Sequence, residues 1–137
     1  MYTEFDNYLL GYLPMDYWYD EGFSIARKML SKFTLQDWKD LASNVLSKPL
    51  DYQRKLAYCI ENSNKEYELD ILLSMTNTDD EELFEICIDS LREFINADNK
   101  HLFVNNESIL SHVKRTMPNA DRPARKMYKD FLNIINY

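Results

Sequence analysis

The sequence predicts an all-α domain of about seven to eight helices. They are arranged as stacked antiparallel, HEAT-like hairpins with an aromatic N-terminal capping segment. Three observations carry that expectation. Apolar residues recur at three- and four-residue spacing along most of the chain, and no long alternating strand pattern interrupts them. Only two glycines and four prolines fall in 137 residues, which suits long helices joined by short turns. Leu56-Ala-Tyr-Cys-Ile-Glu61 aligns with Phe84-Glu-Ile-Cys-Ile-Asp89 at an offset of 28 residues, and under that offset Leu41 falls on Leu69 and Val45 on Leu73. Such a pattern arises when one helix hairpin stacks on another and each covers its neighbour's apolar face. A period of 28 is short for the familiar helical repeats and two units are few, so HEAT-like is as far as the pattern goes. The length suits one domain over 1–137, with 1–23 as the aromatic, acidic segment and 24–137 as the stack.

In chain order, Thr3 can cap a short first helix with Phe5, Leu9 and Tyr12 on one face, ended before Pro14. Asp16-Tyr-Trp-Tyr-Asp20 reads as an irregular linker. A second helix spans about 21–32 with Phe23, Ala26, Met29 and Leu30 inward. Thr34 and Asp37 have the spacing of a helix start, followed by Leu35, Trp38, Leu41, Ala42 and Val45 as an inner face. Pro49 sits where a fourth helix can begin, carrying Tyr52, Leu56, Cys59 and Ile60. Asn64 is the expected cap of a fifth with Leu69, Leu72, Leu73 and Met75. The sixth runs over 78–95, with Thr78 and Glu81 at capping-box spacing and Phe84, Cys87, Ile88, Leu91, Phe94 and Ile95 inward. His101-Leu-Phe-Val104 is too brief to assign. Asn105 or Asn106 caps a seventh helix ended by Pro118, and Asp121 caps the last, with Met127, Tyr128, Phe131, Leu132 and Ile135 inward.

The net charge of −7 is unevenly spread. Residues 1–26 hold five acids and no Lys or Arg, and residues 61–93 hold eleven acids against Lys65 and Arg92. Acidic segments repel nucleic acid and attract cationic proteins. Glu81, Glu85, Asp89 and Glu93 form an i, i+4 row on the sixth helix, with Glu82 beside it. Like charges at that spacing repel, and the helix dipole favours acids only in the first turn. A solvated face is the common reason for such a row; a surface shaped for a basic partner is the sharper one. The N-terminus is acidic and aromatic rather than basic then apolar, and no apolar run approaches transmembrane length, so a cytoplasmic protein without membrane contact is expected. Cys59 and Cys87 then behave as small buried hydrophobes.

No enzyme signature survives inspection. His101 and His112 lack metal-ligand spacing, a Cys59/Cys87/His site would need core positions to be open, and Gly11 and Gly22 make no phosphate loop. Glu82 and Glu85 could do acid–base work, yet on an exposed helix nothing would tune them. No cofactor is expected. Consecutive Tyr17, Trp18 and Tyr19 cannot all be buried, and they lie among Asp16, Asp20 and Glu21. Tyr and Trp beside carboxylates suit a hot spot for a basic protein surface.

Those residues also carry a resemblance. Phe5-x-x-Tyr8-Leu9-Leu10-Gly11-Tyr12-Leu13-x-x-Asp16-x-Trp18 resembles the opening of the small bacterial immunity proteins of contact-dependent growth inhibition and related polymorphic toxin systems. Leu13 stands where an aromatic is usual, and one extra residue precedes the tryptophan. The match covers about the first 20 residues. It implies a noncatalytic inhibitor that binds the C-terminal toxin domain of a delivery protein, often a nuclease, in a 1:1 complex. The resemblance does not say which residues bind; the aromatic segment and the acidic row place the expected partner-binding surface at Asp16, Tyr17, Trp18, Tyr19, Asp20 and Glu21 and at Glu81, Glu82, Glu85, Asp89 and Glu93. The alternative is a helical-repeat adaptor unrelated to toxins.

Overall fold

A computed structural model describes residues 1–61 and 66–136 of the chain. It is all-helical, with no strand among the described residues. The helices are α1 (Tyr2–Leu10), α2 (Met15–Tyr17), α3 (Phe23–Ser31), α4 (Leu35–Asn44), α5 (Leu50–Cys59), α6 (Glu66–Met75), α7 (Glu81–Leu91), α8 (His101–Val104), α9 (Glu107–Thr116) and α10 (Arg122–Ile134). One π-helical turn, Trp18–Gly22, joins α2 to α3, and short 3₁₀ turns follow α4 and α9.

The packing follows the 28-residue offset. Helices two apart in the chain lie side by side: α3 on α5, α5 on α7, and α4 on α6. One layer therefore runs α3–α5–α7–α10, and the other holds α1, α4 and α6. Leu56, Cys59 and Ile60 of the first unit and Phe84, Cys87 and Ile88 of the second are all buried. Burying one such side chain contributes about 1.5–3 kcal/mol, so α7, with Leu83, Phe84, Cys87, Ile88 and Leu91 buried, is a main anchor of the stack. Phe84 is sandwiched between α9 and α10. His112 stacks on it with centroids 3.5 Å apart, and Tyr128 lies 6.1 Å away.

Local chemistry sets the helix ends. Thr34 and Asp37 form a complete capping box at α4. Asn106 caps α9 and Asp121 caps α10, each side chain accepting the N–H three residues on. The α7 start differs from expectation. Asp80, not Thr78, is the N-cap and accepts the Leu83 N–H at 2.8 Å, while the Thr78 hydroxyl accepts the Asp80 N–H. Arg54 selects that arrangement by pairing with the same carboxylate at 2.6 Å. At the other end α7 stops at Leu91; Phe94 is buried from a turn that Asn99 holds through the Phe94 carbonyl. The Asn64 cap lies outside the described residues.

Four further expectations change. Asp16–Asp20 is helical rather than irregular, because Pro14 precedes α2 as its N-cap and the π turn carries the chain straight into α3. Thr3 caps nothing: α1 starts at Tyr2, whose N–H is taken by the Asp37 carboxylate. Tyr12 leaves the α1 face, because the helix ends at Gly11 and the ring is 91% exposed. Leu35 and Ala42 are exposed, since only Trp38, Leu41 and Val45 of that segment reach the neighbouring layer. His101–Val104 forms a single helical turn that buries Phe103.

Candidate protein-binding face along α7

The π turn decides which aromatic faces out. Adding a residue to one turn rotates the face that follows. Trp18 swings inward and is 3% exposed, whereas Tyr19 remains 42% exposed. Gly22 makes room for this: a Cβ there would sit 2.9 Å from Trp18 Cε3 and 3.2 Å from Tyr17 Cε2. Tyr17 is half-buried, its hydroxyl 3.3 Å from that of Tyr8, which also donates to the Gly22 carbonyl. Tyr58 on α5 supports Tyr19 from below, edge to face at 4.9 Å, and meets Phe23 in the same way at 5.5 Å.

Tyr19 stands between two grooves. On one side lie Tyr12, Met15, Arg54, Glu82 and Ile86; on the other lie Tyr58, Glu85, Ile86, Asp89 and Met127. The aromatic segment and the acidic row therefore share one face of the α3–α5–α7–α10 layer. Burial, then the Glu82 carboxylate, push the Tyr19 phenol up. Asp16, Asp20 and Glu21 are exposed but line none of the grooves along α7. Glu21 instead faces Tyr8, whose phenol is pushed up by burial and by its bond to Tyr17.

The five acids of α7 and its end divide by what they touch. Glu81 accepts from Thr116 at 2.8 Å and meets His112 Nε2 at 3.0 Å. Burial pushes its carboxyl up, but those two bonds outweigh it and leave it lowered. Glu82 lies 3.4 Å from Arg54 Nε. Asp89 pairs with Arg92, which reaches on to Asp130 of α10 at 2.8 Å. Glu93 is exposed at the rim of the second groove. Glu85 is half-buried and has no hydrogen bond or ion pair among the described residues. Burial, then Asp121, Asp89 and Glu82, raise its carboxyl above the ordinary value. The expectation that nothing tunes an acid on this helix is thus overturned at Glu85, because packing half-buries its carboxyl and the start of α10 adds the Asp121 carboxylate nearby.

Arg54, Tyr58 and Ile86 were not among the expected site residues, although the repeat points to them. Adding 28 to 54 gives 82 and adding 28 to 58 gives 86, so Arg54 faces Glu82 and Tyr58 sits one layer position from Ile86. Tyr12 and Met15 were exposed too, with Met15 flanking Tyr19. No signal in the sequence marks Asp121 and Tyr128 as neighbours of Glu85.

No group of three or more His, Cys, Asp or Glu among the described residues is placed to hold a metal ion. No helix among them is long and apolar enough to cross a membrane. No protein-family model, curated protein or solved structure matches this chain.

Proposed function

We propose that this chain is an immunity protein: it binds and neutralises a basic toxin domain, as its N-terminal resemblance implies, and acts without catalysis. The observation that carries the reading is the shared face. Tyr19, backed by Tyr58 and flanked by Met15 and Ile86, stands amid Glu82, Glu85 and Asp89. A rigid amphipathic ring surrounded by carboxylates suits a basic protein surface: the ring supplies desolvated contact area and the acids supply charge-assisted hydrogen bonds to Lys or Arg. Trp18 then acts from within the core by fixing Tyr19 rather than by touching the partner.

The test is co-expression with the C-terminal domain encoded by the adjacent reading frame, scoring growth. Rescue that is lost on Tyr19→Ala with Glu85→Gln and Asp89→Asn, while the triple variant keeps its helicity and melting point, supports the reading. Failure of the parent chain to rescue growth or to co-purify with that domain sinks it.

A second reading, an adaptor that binds a peptide or subunit unrelated to toxins, draws on the side-by-side packing of α4 with α6 and α5 with α7, the arrangement of repeat scaffolds. A gene neighbourhood without any large secreted protein would favour it.

A further inference from the structure

The second groove beside Tyr19, of about 780 Å³, runs over α7. Tyr58 of α5 stands on one side, Met127 of α10 on the other, and Ile86 of α7 lies between them. A helix flanked by two others leaves a trough of the shape that a further helix fills, because helix surfaces pack ridge into groove. An extended segment fits it less well. Its backbone N–H and C=O groups would come down on apolar side chains, and there is no strand among the described residues whose edge could pair with them. A helix satisfies its own backbone and needs only an apolar stripe to dock.

The rim sets the charge of such a helix. Glu85, Asp89, Glu93 and Asp130 line the groove against two bases, Arg27 and Arg92. Arg27 is engaged by Glu61 and by the Cys59 carbonyl. Arg92 reaches from the end of α7 to both Asp89 and Asp130, and so latches α7 to α10 across the trough. The latch is incomplete. Arg92 Nε is buried and makes no hydrogen bond, the one such side-chain nitrogen or oxygen among the described residues, and a buried donor left unpaired costs stability. Asp89 and Asp130 are each more than half exposed and open to a second cation.

We propose that this trough receives an amphipathic helix of the partner protein, with large apolar residues on one stripe and Lys or Arg on both flanks. The stripe covers Tyr58, Ile86 and Met127, and the bases meet Glu85, Asp89 and Asp130. At the two aspartates an arriving base displaces Arg92, which holds the same carboxylates in the free protein. The proposal rests on the toxin-binding reading of this face, so the helix is one of the toxin domain's, and it fills this groove rather than the one beside Met15.

The experiment is an NMR titration of the whole chain with three peptides of about 14 residues, or about 20 Å of helix. The first is a Leu/Lys peptide with Leu at helical spacing, the second has the same composition in strict alternation, which suits a strand, and the third is a Leu/Glu twin of the first. Saturable shifts centred on Tyr58, Ile86 and Met127 are expected from the first, with binding about tenfold weaker or worse from the other two. Ile86→Lys should weaken the first peptide about tenfold, the worth of one apolar contact, and Asp89→Asn, at an exposed position, about threefold. Arg92→Gln should tighten it about threefold, more than Lys129→Gln does, which makes the same charge change at an exposed position outside the groove. Equal binding of the alternating peptide, or binding that Ile86→Lys and Asp89→Asn both leave unchanged, would overturn the docked helix. An Arg92→Gln effect no larger than that of Lys129→Gln would sink the displacement of Arg92. The peptides stand in for the partner, so growth rescue alongside any of these results leaves the toxin reading standing and removes only the helix from this groove.

Discussion

Replacing Glu85 by Gln removes two like-charge i, i+4 neighbours at once, Glu81 and Asp89. Glu85 is a carboxyl raised in the fold, so its contribution favours folding below the ordinary 4.5 and is lost as pH rises through the raised value. Glu85→Gln should therefore stabilise the protein by about 0.5 kcal/mol at pH 7 and by nothing at pH 3.5, read from urea midpoints at both pH values. Asp80 has the opposite sign. The Arg54 hydrogen bond, then the Leu83 N–H, hold its carboxyl below the ordinary range against burial. Its stabilisation is present above the ordinary carboxyl value and is lost as pH falls through the lowered one. Asp80→Asn keeps the cap and loses the ion pair, whereas Asp80→Ala loses both. The Ala variant should unfold at lower urea than the Asn variant by about 1 kcal/mol, the worth of a cap. At this scale the caps of α4, α9 and α10 were legible because each is local: the cap side chain accepts a backbone N–H three residues on, and at α4 Asp37 returns the bond. Asp80 was not, because its choice over Thr78 depends on Arg54, 26 residues away.

Among elements, the Trp18–Gly22 turn is the one whose geometry and surface are linked most directly. Tyr17, Trp18 and Tyr19 in succession have no helical period, so they read as a linker; the π turn absorbs the mismatch by hiding one ring and exposing another. Gly22→Ala should cost about 1–3 kcal/mol, the usual toll of overpacking, because the new methyl meets the ring carbons of Trp18 and Tyr17 rather than a flexible tip. It should also weaken partner binding beyond what its stability loss explains, since Tyr19 rides on the same turn; a melting curve beside an affinity measurement separates the two. The side-by-side pairs α4–α6 and α5–α7 were readable from the 28-residue offset. The single turn of α8 was not: four residues are too few to show a period, and Phe103 is placed by its edge contact with Phe131 on α10.

At the scale of the whole molecule, the layer α3–α5–α7–α10 concentrates acids that the sequence scatters over 51–130. Several of its bases, Arg27, Arg54, Lys55 and Arg92, already pair within the chain. The linings of the two grooves beside Tyr19 set six acids, Asp51, Glu82, Glu85, Asp89, Glu93 and Asp130, against those four bases, so the grooves are net negative even though α10 adds Arg122, Arg125, Lys126 and Lys129 to the layer. The partner's association rate should fall steeply between low and physiological salt while its dissociation rate changes little, measured by stopped flow. The all-α class was legible because periodicity survives any packing. That the aromatic and acidic segments meet on one face was not, because only the stacking of α3 beside α5 and α5 beside α7 brings Tyr19 to Ile86.

Cys59 and Cys87 sit in the middle of that layer on adjacent helices, with no solvent exposure. Burial pushes the Cys59 thiol up to about 12 and the Cys87 thiol up as well, so neither offers a reactive thiolate to an alkylating reagent in the closed state. Labelling can proceed only when the central helices part. The two thiols form a built-in clock for the opening of the stack. If α5 and α7 separate as one unit, iodoacetamide should modify both at the same rate, and that rate should follow the global unfolding equilibrium as urea is raised. Faster labelling of Cys59 would mean instead that the N-terminal hairpins peel away first, taking the tyrosine face with them and leaving α7 to α10 closed.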